Sequence, residues 1–171
     1  MTVYRVGTSA VVLSFLLIVS SVIFSVSHVF SGMNGAKWVI AAIVVGFTLF
    51  NFISLYFRRL EVEDDEVRLF TVYGRKSIKL SALEEIGVIL LKMRAILILS
   101  DAEKFVFVSS YFRNFAEFTE LVKSNVNAEL QGNIAKLDNK LIRKKQITFM
   151  ALLAVLNIFL VGSAVYNFVN G

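Results

Sequence analysis

Apolar residues in this chain run in three long uninterrupted blocks, and between the second and third the pattern changes to short alternations. Residues 6–36, 38–57 and 147–171 contain no Lys, Arg, Asp or Glu. Each block supplies the roughly 20 apolar residues that a helix needs to cross a bilayer. The pattern predicts spanning helices over 9–31, 38–57 and 147–169. The middle reads as β. Leu60-Glu61-Val62-Glu63 alternates apolar and polar, and Val67-Arg68-Leu69 resumes the alternation after the acidic turn Glu63-Asp64-Asp65-Glu66. Tyr73-Gly74 marks a second turn, and a strand Lys76–Leu80 follows. Ser81-Ala82-Leu83-Glu84 has the spacing of a capping box and predicts one helical turn. Two apolar strands, Ile86–Leu91 and Ala95–Leu99, are joined at Lys92-Met93-Arg94, and Asp101-Ala102-Glu103 turns into a last strand, Lys104–Ser109.

The period then changes to that of a helix, capped by Ser109 or Ser110. Phe112, Phe115, Phe118, Val122 and Val126 share one face, and Arg113, Glu117, Glu120 and Lys123 fall largely off it. Leu130, Ile134, Leu137 and Leu141 carry a second stripe through 128–146, read as an amphipathic linker helix. One helix from 111 to 145 would be about 50 Å long at 1.5 Å per residue. The chain must return to its third apolar block, so a break is predicted at Asn125–Asn127 or Gly132-Asn133.

Composition sharpens this picture. At 57% hydrophobic residues, the 171-residue chain is too apolar for a soluble domain. Of 18 Lys and Arg, all but Arg5 and Lys37 lie in 58–146, together with all 13 Asp and Glu. Arg58 and Arg59 follow the second block, and Lys140, Arg143, Lys144 and Lys145 precede the third, whereas the loop near Ser31–Lys37 offers only Lys37. The positive-inside rule then places the N-terminus and 58–146 in the cytoplasm, and the C-terminus outside. The basic balance thus reflects membrane flanks. No run interleaves bases with aromatics as a nucleic-acid surface would. A competing reading makes residues 1–27 a cleaved signal peptide, but the apolar run exceeds the usual 7–15-residue signal core. Without cysteine and with one histidine, the chain has no disulfide, thiol nucleophile or Cys/His metal cluster.

Leu60–Leu69 with its acidic turn, Lys76–Ile86, and Phe105–Val122, where a strand runs into a Phe-rich helix, resemble the pleckstrin-homology-like domains of small bacterial membrane proteins. The resemblance covers 58–127. It implies a bent β-barrel plugged at one end by the helix, in a bacterial cytoplasmic membrane protein. It also implies seven strands where the sequence offers six, the first being missing or hidden beside Arg58. Phosphoinositide-binding members use Lys and Arg around the first β-hairpin. The carboxylates of Glu61, Glu63, Asp64, Asp65 and Glu66 stand there instead, which disfavours that mode.

The fold expected is an integral membrane α+β protein: three transmembrane helices with an inserted cytoplasmic antiparallel β-barrel or roll closed by a C-terminal helix. The acidic turn lacks an EF-hand pattern and reads as a solvated hairpin. Lys140, Arg143, Lys144 and Lys145 are candidate contacts for anionic membrane lipid, besides being a topology signal. In the spans, Ser21, Ser25, Ala42, Gly46, Asn51 and Asn157 are candidate helix-packing positions. Ser14, Ser21, Ser25 and His28 form a polar stripe, with Ser20 and Ser27 on the opposite face. No charged residue lies inside a span, so the usual mark of an ion path is missing. A catalytic triad would need His28, across the membrane from every carboxylate. No cofactor and no small-molecule substrate is evident. Ile86–Leu91 and Ala95–Leu99 are apolar on both faces. One face belongs to the core, and the other needs the 128–146 helix, a second copy or a partner. Ile89, Leu91, Ile96 and Ile98 are the candidate interface. The reading is a non-catalytic, membrane-anchored interaction module acting as an assembly or regulatory subunit. Two alternatives stand beside it: a small transporter component or accessory subunit, and an anionic-lipid sensor.

Overall fold

The computed structural model describes residues 1–30 and 35–170. The expected loop near Ser31–Lys37 and the end of the first span lie partly outside the described residues. The protein is α+β, with three long apolar helices and two antiparallel sheets. It divides into two compact units. One joins Met1–Gly7 to Phe57–Phe149, and the other joins Thr8–Tyr56 to the chain from Met150 onward.

The first unit holds seven strands. Strands β1 (Thr2–Arg5), β2 (Arg59–Glu63), β3 (Glu66–Thr71) and β4 (Gly74–Lys79) form one sheet in that order. Strands β5 (Glu85–Leu90), β6 (Ala95–Ser100) and β7 (Phe105–Ser109) form the other. Six of these are the strands the alternation predicts. The seventh comes from the N-terminus, ahead of the first apolar helix, with Thr2 opposite Val62 and Arg5 opposite Arg59. Four residues abutting an apolar block carry too little alternation to announce a strand.

The sheets do not close into a barrel, which corrects that part of the expectation. Between β4 and β5 the chain leaves the ladder for a 3-10 turn at Leu80–Ala82. Asp65, in the acidic turn, holds it there: its carbonyl accepts the Leu80 N–H at 2.7 Å and its carboxylate accepts the Ser81 N–H at 2.9 Å. In the β3–β4 turn Gly74 has φ +125°, where a side chain would be strained.

The core lies between the sheets and α3 (Phe115–Asn125). Leu60, Val67, Ile86, Leu97, Leu99, Val106 and Val108 from the strands meet Phe112, Phe115, Phe118 and Val122, all essentially inaccessible. Each such side chain stabilises the fold by about 1.5–3 kcal/mol. Tyr4 of β1 joins them, its ring edge-on to Phe118 at 5.7 Å. The predicted serine cap does not form. Ser110 Oγ instead accepts the Ala95 N–H at 3.0 Å, and the helix starts at Phe115.

The predicted break occurs after Asn125. Gln131 Nε2 seals it by donating to the carbonyls of Lys123 and Val126, end groups a helix leaves unpaired. Residues 128–146 are not one linker helix, however. Helix α4 (Ala128–Ile134) is short, and α5 runs unbroken over Asn139–Asn170. Asp138 initiates α5, its carboxylate accepting the Leu141 N–H three residues on, as an N-cap does.

In the second unit, α1 (Thr8–Phe30), α2 (Gly35–Tyr56) and the C-terminal part of α5 pack together. Among the described residues these are the three helices long and apolar enough to cross a membrane. Phe15 lies beside Phe52, and Ser21 bonds Thr48, so α2 runs antiparallel to α1. Leu13 and Ser20 bond Asn157 and Ser27 bonds Asn167, so α5 runs parallel to α1.

Candidate functional site

The acidic turn is built into the fold. Arg68 Nη1 donates to Glu63 Oε2 at 2.8 Å, while Nε and Nη2 donate to Glu66 Oε2 at 2.9 and 2.6 Å. The hydrogen bond from Arg68 holds the Glu66 carboxyl below its usual range, helped by Ser77. Asp64 takes the left-handed corner at φ +50°. Glu61 is buried, with Arg59 Nε 3.1 Å from its carboxylate. Glu61, Glu63 and Glu66 are thus engaged by arginines, and among the described residues no carboxylate cluster is placed to hold a metal ion.

The apolar face beyond the core is a property of β5–β7. Pairing sets Ile89 opposite Ile96, and Gly87 opposite Ile98, which faces Phe107. Gly87 matters here, because a Cβ would stand 3.4 Å from the Ile98 side chain. Ile89 and Leu91 are exposed, and Ile96 and Ile98 are half-buried. Phe105 and Phe107 extend the patch, 51% and 40% exposed, edge-to-face at 5.3 Å. The strand pattern of Phe105–Ser109 held this signal: its odd positions point opposite Val106 and Val108. Helix α4 lies along β5, and Asn133 Nδ2 donates to the Ile86 carbonyl at 2.9 Å. With Ile134 and Leu137 buried, α4 occupies the sheet edge and leaves the Ile89–Phe105 face open.

The four bases of 140–145 separate. Lys140, Arg143 and Lys144 line a groove of about 530 Å³ along one side of α5, with Ile147 and Thr148. Lys145 points elsewhere, donating to the carbonyls of Leu91 and Lys92 at 2.6 and 3.3 Å.

Of the helix-packing candidates, Ser21 and Asn157 bond across helices. Ser21 Oγ lies 3.0 Å from Thr48 Oγ1, and Asn157 accepts from Ser20 at 2.8 Å while donating to the Leu13 carbonyl at 3.2 Å. Ser25 bonds the Ser21 carbonyl of its own helix. Ala42, Gly46 and Asn51 are exposed, and Ala41 and Thr48 are the buried residues of α2 instead. Helix α1 has a partner on each side. Ser21 serves the α2 side, and Ser20 and Ser27 the α5 side, where His28 of the other polar stripe also meets Asn167, while Ser14 and Ser25 bond carbonyls of their own helix. Thr48 and Asn167 carried a signal of their own as isolated polar residues in apolar runs.

Comparison with protein-family models, curated proteins and solved structures gave no match to this chain.

Proposed function

We propose that the protein is a non-catalytic, membrane-anchored interaction module: three spanning helices carrying a cytoplasmic pleckstrin-homology-like domain that docks a protein, its own second copy included. The observation that carries the docking is the open apolar face of β5–β7, since an exposed patch rimmed by polar residues marks a contact. Support for the anchor is the inverted character of the second unit. Ser20 bonds Asn157, Ser21 bonds Thr48 and Ser27 bonds Asn167 inside, while Ile43, Phe47, Ile158 and Phe159 are 64–72% exposed. That is the arrangement a lipid surround favours. Support for the domain class is the strand order, four then three, followed by α3. The pairing of β1 with β2 supports retention of residues 1–27 and a common side for the N-terminus and 58–146.

The chain has no cysteine, so single cysteines report contacts cleanly. Ile89→Cys or Phe107→Cys in the full chain, in membranes, is expected to crosslink to a second copy or to one stoichiometric partner. Ile89→Lys is expected to abolish that assembly while the helices stay inserted. Monomer throughout, with no co-purifying protein, would refute the proposal. The lipid-sensing alternative keeps the Lys140–Lys144 groove in its favour. The transporter alternative is weakened by the mutual hydrogen bonding of the bundle's polar groups.

A further inference from the structure

Arg58 is two residues past the end of α2, and its Nε is buried with no hydrogen-bond partner in the protein. Backbone pairing brings it to Tyr111, because Arg5 is opposite Arg59 and Val6 bridges Phe112, and Arg94, in the β5–β6 turn, acts on it as a second positive charge. The ion pairs among the described residues use Arg59, Arg68 and Lys123, and neither Arg58 nor Arg94 has a carboxylate. Tyr111 completes the cluster, its ring centroid 5.8 Å from the Arg94 guanidinium. Burial and the Arg94 charge push Arg58 down from its ordinary value. Burial pushes Tyr111 up, against the pull of both arginines.

The surroundings are rigid. Lys145 grips the two carbonyls of the turn that presents Arg94. Gln146 Nε2 donates to the carbonyls of Ser110 and Phe112, on either side of Tyr111, at 2.9 and 3.0 Å. Phe149 stacks on the Tyr111 ring at 4.1 Å. The Tyr111 carbonyl accepts the Gly7 N–H at 3.2 Å. One turn of α5, with Gly7 just past β1, thus holds the turn of Arg94 and the ring and backbone of Tyr111. Both arginines are half-buried; a partly desolvated charge without a counter-charge is costly, and two like charges repel. An oxyanion offsets both costs, and a guanidinium fork matches phosphate geometry.

We propose that Arg58, Arg94 and Tyr111 form a binding site for a phosphate oxyanion, the guanidiniums donating to its oxygens and the phenol hydroxyl supplying a further donor. Assigning that phosphate to a phospholipid headgroup rests on the membrane reading above: along the chain, Arg58 follows α2, Gly7 precedes α1, and Phe149 leads into the apolar part of α5. The site itself does not rest on that reading.

The test uses the full chain in neutral detergent and follows thermal unfolding. Phosphatidylglycerol is titrated against phosphatidylcholine, and inorganic phosphate against chloride at matched ionic strength. The wild type is expected to be stabilised by the anionic ligand, since a ligand for the native state raises its stability. Arg58→Gln and Arg94→Gln are each expected to weaken the response at least about tenfold, as for loss of a charge-assisted contact. Arg75→Gln, of equal charge change, is expected to retain it. Arg58→Gln is also expected to unfold at higher temperature than wild type in anion-free buffer, an effect that a purely structural arginine would not give. A response confined to phosphatidylglycerol assigns the site to lipid, and an equal response to inorganic phosphate assigns it to a soluble anion; either upholds the site. Absence of any anion response in the wild type, or an undiminished response in both variants, overturns it. If the chain failed to insert in bilayers, the lipid source would fall while the phosphate titration still decided the site.

Discussion

Phe115 shows how far single residues were legible. Its place in the Phe112–Val126 stripe predicts burial, and it is inaccessible among Phe118, Val122 and the strand core. Phe115→Ala is expected to destabilise the domain by about 3–5 kcal/mol, the usual cost of emptying a large aromatic site, measured by chemical denaturation. Asp101 is a subtler case. Its carboxylate accepts the N–H groups of Glu103 and Lys104 at 2.8 and 2.7 Å, and these bonds hold its pKa below the ordinary aspartate value. A lowered folded pKa means the contribution is present above the unfolded value, about 3.9, and is lost as pH falls through the folded one. The β6–β7 turn is therefore expected to loosen in that acid window, seen as a pH-dependent shift of the Glu103 and Lys104 amide resonances. Asp101→Asn should remove the dependence. The turn was readable in the sequence as Asp101-Ala102-Glu103, but the two bonds were not. Nor was the choice of Ser110 for the Ala95 N–H over a helix cap, because a hydroxyl's partner depends on which strand passes beside it.

At the level of elements, alternation located six strands and failed on the seventh. The six owe their visibility to turns of Asp, Gly and charged residues that punctuate them. Strand β1 has no such frame on its N-terminal side and runs within three residues into α1. Its weight in the structure is nonetheless large: it covers β2, and Tyr4 is 3% exposed against Phe118. Deleting Thr2–Arg5 is expected to lower the unfolding temperature of the domain and to expose the β2 edge. Hydrogen exchange should report this as faster exchange in Arg59–Glu63, with β5–β7 less affected. The 128–146 segment departs from a single linker helix for a related reason. An apolar stripe with 3.6 period continues through 128–141, but periodicity does not register that α4 stops at Ile134 and that Asp138 starts a separate helix. The open face of β5–β7 was legible because Ile86–Leu99 is apolar at both parities. Its extension through Phe105 and Phe107 needed the register of β7 against β6. The arginine pair was illegible altogether, since Arg58 and Arg94 are 36 residues apart in sequence and only folding brings them within electrostatic reach.

For the molecule as a whole, the proposed topology makes a direct prediction. Reporters fused after residues 100 and 135 should give a cytoplasmic signal, and a reporter after residue 170 an external one. A cytoplasmic signal from the last position would overturn the orientation. The division of the chain has a further consequence for how it is made. Val3 pairs with Glu61, and two apolar helices are synthesised between them. At about 5–20 residues per second, the first strand waits about 3–12 s after emerging before its partner exists. During that interval it has nothing to bond, and in the proposed topology the sheet can be completed on its β1 edge only after both helices of the hairpin have crossed. If only one of the two helices crossed, Val3 and Glu61 would be left on opposite sides of the bilayer and the four-stranded sheet would lack its edge. Under the proposed topology, completion of the sheet by β1 thus reports insertion of both helices of the hairpin.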